Sequence, residues 1–218
     1  MAVDFSLYIN AIIETLFMTF TSSLLSYLIG IPLGILLYIS AKDGLTPNRF
    51  LYDILSLIVN LLRSIPFLIL LILVLPITKF LVGSTIGPKA VIPPLVISAS
   101  PYIARMVESS LKEVDLGVIE AAKSMGASNF QIIYKVLLTE SKPSLLIGAA
   151  ISITTILGYS AMAGIVGGGG LGTVAINYGY YRYNKEIMIV TVVLLVIIVQ
   201  ILQEVLMHIA RKSDKRIV

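Results

Sequence analysis

The sequence predicts an all-α membrane protein, a polytopic helical bundle of about five transmembrane helices with two short helices inserted on one side. Three observations carry this. Of 218 residues, 57% are hydrophobic and 13% charged, against roughly 45–50% and 25% in an ordinary soluble domain. The apolar residues gather in long runs of the kind that cross a bilayer. The stretch 108–142 departs from that pattern and mixes charges with helical periodicity. At this length the whole chain, 1–218, reads as a single domain.

The first run, 16–41, has no charged residue and, at about 1.5 Å per residue, is long enough for a hydrocarbon core of about 30 Å. Gly30 and Gly34 flank Pro32, a pattern that suits close helix approach and a bend, although glycine is also ordinary in membrane helices. The preceding residues include Asp4 and no Lys or Arg, so this run is expected to stay as an anchor rather than act as a cleaved signal peptide.

The second run, 51–78, contains Arg63. A mid-helix arginine costs about 2.5–3.5 kcal/mol on insertion scales, whereas the Leu, Ile, Val and Phe residues between Ile65 and Ile77 return roughly 3–7 kcal/mol together, so the span still inserts. The third run, 90–107, opens with Pro93 and Pro94 and is crossed near its end by Arg105; prolines in a first helical turn cost little. The fourth, 144–166, is free of charge and ends in the glycine-rich stretch Gly164 to Gly172. The fifth, 187–209, leads into Arg211, Lys212, Lys215 and Arg216.

Charge placement orients the five spans. Lys42, Arg49, Arg105 and the basic residues of 112–142 and 211–216 fall on one side, against Lys79, Lys89, Arg182 and Lys185 on the other. The positive-inside rule then puts the N-terminus outside and both 108–142 and the C-terminus in the cytoplasm. Five spans cannot divide into two equal inverted halves, and they are few to enclose a solute path. A symmetric homodimer is the expected remedy.

Composition also excludes classes of chemistry. The chain has no Cys, which removes disulfides, thiolate metal sites and cysteine nucleophiles. Its single histidine, His208, reads as an interfacial residue and not a metal ligand. Gly167 to Gly170 superficially suggests phosphate binding, but a P-loop needs Gly-Lys followed by Ser or Thr, and the chain has no such run. The glycines are expected to form a flexible outer turn.

Within 108–142, Val118, Ala121, Ala122 and Met125 are spaced as one helix face, and Gly126 is placed to end that helix in a left-handed conformation. Ser128 and Gln131 then form a capping box opening a second helix, with Phe130, Ile133, Tyr134 and Leu137 on one face. The pattern alone also suits an amphipathic hairpin on the membrane surface, or formally a helix-turn-helix, although no basic cluster lines its second helix.

Glu120-Ala121-Ala122, Gly126 four positions after Ala122, and the apolar Val136-Leu137-Leu138 resemble the EAA loop of permease subunits of binding-protein-dependent ABC importers. The resemblance extends through Arg63-Ser-Ile-Pro-Phe67, Pro101 to Glu108, Gly158 to Met162 and Asn177 to Tyr180, which together look like the permease subunits of methionine importers. It implies a coupling helix seated in a cytoplasmic ATPase cleft through Glu120, Ala121, Ala122 and Gly126. It also implies two copies of this chain, two ATPase subunits that use the ATP, and an external substrate-binding protein, often a lipoprotein. This chain would bind no cofactor and no nucleic acid, catalyse nothing itself, and sit in a bacterial cytoplasmic membrane. The family pattern usually has proline after the final leucine, where this chain has Thr139; the next proline is Pro143.

For the solute path, Arg63 lies about 14 Å along its helix from Ile54 and either faces an interior wet cavity or snorkels to the interface. Pro66 frees a carbonyl and allows a kink. Tyr159, Ser160 and Met162 precede the glycine run and are candidates for a constriction, or ordinary packing residues. Tyr178, Tyr180 and Tyr181, with Tyr183, suit either an aromatic belt or docking of the binding protein. Other readings are a permease for a different amino acid or an osmoprotectant, an ATP-independent channel or carrier, and a membrane-anchored DNA-binding regulator.

Overall fold

The computed structural model describes residues 5–213; Asp4, Lys215 and Arg216, used above, lie outside them. Among the described residues the chain is helical without a strand. Its elements are α1 (Phe5–Ser40), α2 (Arg49–Ser64), α3 (Phe67–Leu73), α4 (Leu75–Val82), α5 (Pro88–Lys112), α6 (Leu116–Ser124), α7 (129–140), α8 (Lys142–Met162), α9 (Gly170–Val174) and α10 (Lys185–Ser213). A 3-10 turn, Ala163–Val166, follows α8, and a π-helical turn, Ala175–Tyr180, follows α9. Four helical stretches are long and apolar enough to cross a membrane, and the bent pair α2 and α3 makes a fifth if it counts as one span. The chain is a helical membrane bundle.

Helices α1 and α5 form its centre. Small residues bring them together: a Cβ on Gly30 would sit 2.6 Å from Ile103 Cγ2, and one on Gly34 2.6 Å from the Ala104 carbonyl. The expected glycine pair is thus a close-approach surface. α1 begins well before the expected 16–41, so Glu14 lies within it.

The prolines of α5 correct one expectation. The helix starts at Pro88, so Pro93 and Pro94 lie inside it together with Pro101. In a membrane bundle, neighbouring helices and local adjustment compensate for the missing donors.

The run 51–78 is not one straight helix. α2 stops at Ser64, Ile65 turns to extended backbone (φ −83°, ψ 123°), and α3 departs at 103° to α2. Pro66 is the cause, since it disfavours helix at Ile65 and has no N–H for the carbonyl of Leu62.

One apolar core runs the length of the molecule, from Val91 and Ala163 through Leu95, Ile103 and Val107 to Ile119, Ala122, Ile132 and Leu137 in the α6–α7 hairpin. α10 packs on α8 and buries only Ile187, Thr191 and Ala210.

Candidate functional site

The α6–α7 hairpin connects the end of α5 to the start of α8. Asp115 caps α6, its Oδ1 accepting from the Gly117 N–H at 2.7 Å. Gly126 ends the helix in the left-handed conformation, φ +79°. There its N–H donates to the Lys123 carbonyl, and that of Ala127 to the Ala122 carbonyl at 3.1 Å, which satisfies two carbonyls of the last turn. The capping box forms as expected. The Ser128 N–H donates to Gln131 Oε1 at 2.8 Å, and the Gln131 N–H to Ser128 Oγ at 3.4 Å.

The faces of the hairpin differ from the sequence pattern. In α6, Ala122 turns inward with Ile119, whereas Val118, Ala121 and Met125 point out. In α7, Ile132 and Leu137 are fully buried, while Phe130 and Tyr134 are exposed and stack with centroids 6.4 Å apart. The reason is the π-helical stretch Ile132–Leu137. Its wider turn puts residues five apart on one side, where the α-helical reading had grouped Phe130, Ile133, Tyr134 and Leu137.

The outer face of the hairpin therefore carries Leu116, Met125 (82% exposed), Phe130 (75%) and Tyr134, with Glu120 and Ala121 also exposed. Uncovered side chains of this size mark a protein or membrane interaction surface. Ser141 ends α7 without the family proline, its hydroxyl donating to the Leu137 carbonyl at 2.6 Å. Pro143 serves instead in the first turn of α8.

A groove lies between α2, α5 and α8. A cavity of ≈ 240 Å³ is lined by Arg63 and Ile65, by Ser98 and Tyr102 of α5, and by Thr155, Ile156 and Tyr159 of α8, among others. It shares Arg63 and Tyr102 with a second concavity of ≈ 380 Å³ that extends to Ser110, Glu113 and Ser144. A third, ≈ 360 Å³, continues from Glu113 and Ser144 to Glu140 and Ser141 at the hairpin. Tyr159 stacks on Phe67 with centroids 4.7 Å apart, so the chain just past the Pro66 break closes against α8.

Of the sequence-derived path residues, Arg63 and Tyr159 meet in this cavity, and Pro66 produces the break beside it. Ser160 does not join them. It is buried, and its hydroxyl donates to the Leu157 carbonyl at 2.7 Å. Met162 is half-exposed at the end of α8.

Beyond Met162 the glycine run is packed, not a loose turn. A Cβ on Gly164 would collide with the backbone of Gly172, and one on Gly172 with that of Ala161. Glu14 Oε2 accepts from the Gly170 N–H at 2.7 Å, and Thr15 Oγ1 from the Leu171 N–H at 2.9 Å. α1 therefore caps α9. Tyr178 and Tyr180 are helical where a loop was expected, while Tyr181 and Tyr183 lie in the turn that follows, and Tyr178 sits beneath the Arg182 guanidinium at 4.5 Å. Tyr180 and Tyr181 are exposed and tilted together at 5.5 Å.

Sequence reasoning missed a polar network. Glu108 is buried, with Oε2 2.6 Å from Arg105 and Oε1 2.7 Å from Lys112. Tyr52 donates to the same carboxylate at 3.3 Å. Arg105 also donates to Asn60 Oδ1 at 3.1 Å and to the Ser56 hydroxyl, so the cluster ties α2 to α5. The 105, 108, 112 spacing, which puts three charges on one helix face, was the available signal. Tyr27, whose hydroxyl lies 2.7 Å from that of Ser152, was also missed and carried no sequence signal.

The sequence profile of the binding-protein-dependent transport system inner membrane component family matches residues 30–217. The chain belongs to this family. Among family members, a probable D-methionine transport system permease protein of Vibrio cholerae is 47% identical over 99% of this chain and 96% of its own. The methionine import system permease protein of Bacillus subtilis is likewise 47% identical, over 98% and 96%. A solved chain of the inward-facing methionine ABC transporter MetNI has a TM-score of 0.95 at 45% identity, covering 97% of this chain and 98% of that one. A chain of an amino acid ABC transporter crystallised with histidines shares the fold, with a TM-score of 0.78 at 23% identity. Family membership gives the chain its class, a multi-pass inner membrane transport component.

Proposed function

We propose that this chain is the permease subunit of an ATP-driven methionine importer in a bacterial cytoplasmic membrane. Two copies work with two cytoplasmic ATPase subunits and an external binding protein, the N-terminus outside and the C-terminus inside. The observation that carries the reading is the hairpin, whose uncovered apolar face sits on a core shared with the helices that line the groove. The chain has no nucleotide-binding run of its own, so a partner must supply the hydrolysis.

Each part of the hairpin has a role in this reading. Val118, Ala121 and Met125 enter the ATPase cleft with Glu120 beside them. Ala122 seats α6 on the core, and Gly126 sets the turn. When ATP draws the two ATPases together, the displaced hairpin moves α5 and α8 through Ile119, Ala122, Ile132 and Leu137. Arg63, Pro66 and Tyr159 line or shape the path, Met162 stands at its outer end, and Ser160 serves through helix packing. Tyr178, Tyr180 and Tyr181, at the opposite end of the bundle, form the seat of the binding protein. The names of the relatives above support methionine as the solute.

Uptake of labelled methionine into proteoliposomes holding this chain and its ATPase, supplied with binding protein, tests the reading. ATP-dependent uptake that other amino acids and osmoprotectants do not compete away is expected. Uptake without ATPase, or preference for a different solute, contradicts it.

A further inference from the structure

Two arginines face the same groove, and their environments differ. Arg105 is held by the buried carboxylate of Glu108 at 2.6 Å and by Ser56 and Asn60 of α2. Arg63, on the last turn of α2, lines both the 240 Å³ cavity and the 380 Å³ concavity below it. Among the described residues no carboxylate pairs with it. Arg63 is exposed in the single chain, and at membrane depth an ionised side chain stays only where it is paired or wet. Here the cavity itself offers no counter-charge, because no Asp or Glu is among its lining residues.

What the cavity does offer matches one kind of solute. The guanidinium is a planar fork of donors suited to two carboxylate oxygens. Ser98, Tyr102, Thr155 and Tyr159 line the same cavity and bring hydroxyls without adding charge, the one on Thr155 already donating to the Ile151 carbonyl at 2.8 Å, and Ile65 and Ile156 add apolar surface. The volume, ≈ 240 Å³, is below the roughly 300–1,000 Å³ of sites for drug-sized ligands, which restricts it to a small solute. The nearest acidic lining residue along the groove, Glu113, belongs only to the concavities further toward the hairpin. A solute with a carboxylate, an ammonium and an uncharged side chain thus meets the positive charge first and the negative charge nearer the exit.

We propose that Arg63 is the carboxylate-recognition residue of the transmembrane path, holding the α-carboxylate of the translocated amino acid as it passes Tyr159. The Arg105–Glu108 pair positions α2 and leaves Arg63 the uncommitted cation. This assignment rests on the importer reading above. The proline break at Ile65 and Pro66 ends α2 just past Arg63, so the guanidinium sits on the last helical turn, where the negative end of the helix dipole favours a cation.

The test compares L-methionine with L-methioninamide, in which a neutral amide replaces the carboxylate, in proteoliposomes with ATPase and binding protein. Taking the ratio of the two uptake rates in each variant, relative to the same ratio in the wild type, cancels discrimination by the binding protein. Arg63→Gln should lower methionine uptake by about ten- to a hundred-fold, the loss expected for a hydrogen bond to a charged group, and collapse the ratio. Arg63→Lys should keep more of both than Arg63→Met, which is uncharged and of similar length. Equal falls for both solutes, an unchanged ratio, or no difference between the Lys and Met variants would overturn the assignment. If the wild-type assembly shows no ATP-dependent methionine uptake, the importer reading itself fails and takes the assignment with it.

Discussion

The α1–α5 pair and the α6–α7 hairpin are built on opposite plans. In the pair, Gly30 and Gly34 bring two backbones into contact and Leu37, Ile103, Ala104 and Val107 are sealed from solvent. In the hairpin, only Ile119, Ala122, Ile132 and Leu137 are buried, and Met125, Phe130 and Tyr134 have nothing over them. The pair is complete within one chain, whereas the hairpin leaves one face uncovered. On the proposed reading, the difference separates residues that keep the permease folded from residues that couple it to the ATPase.

Three substitutions test that separation, in decreasing order of effect on stability. Glu108→Ala should cost about 3–5 kcal/mol, because it strands Arg105 in a mostly buried site. The expected readout is early aggregation in a thermal size-exclusion assay, and a wild-type profile would show that the network does not anchor α2. Gly34→Leu should cost at least about 1–3 kcal/mol by overpacking against Val107 and the Ala104 carbonyl. An unshifted melting profile would mean that the pair is not closed as described. Phe130→Ala should leave stability within about 0.5 kcal/mol, since the side chain is 75% exposed. The same change should weaken co-purification of the ATPase, and a reversal of those two results would make the hairpin a folding element.

The two regions also differ in how far the sequence discloses them. The turn at Gly126 and the Ser128–Gln131 box are legible because their partners lie within a few residues. The inward face of α7 was not, since a π-helical stretch changes the phase of the pattern without a local marker. The glycine run reads as flexible in sequence because its anchors, Glu14 and Thr15, lie 156 residues away. Arg63 and Tyr159 stand out in the sequence as candidate path residues, each from its own segment. Their meeting in one cavity depends on the 103° break, and only the kink at Pro66, not its size, follows from the proline. Charge placement along the chain could not separate Arg63 from Arg105; that depends on Ser56 and Asn60 reaching across from α2.

The absence of cysteine from the natural chain makes one measurement decisive for the hairpin as the ATPase seat. A Met125→Cys variant, treated with a short bifunctional thiol-to-amine crosslinker in the assembled transporter, should join to the ATPase subunit. A Tyr181→Cys variant at the opposite end should not. An ATPase adduct at Tyr181→Cys, or none at Met125→Cys in an assembly that still imports methionine, would contradict the account.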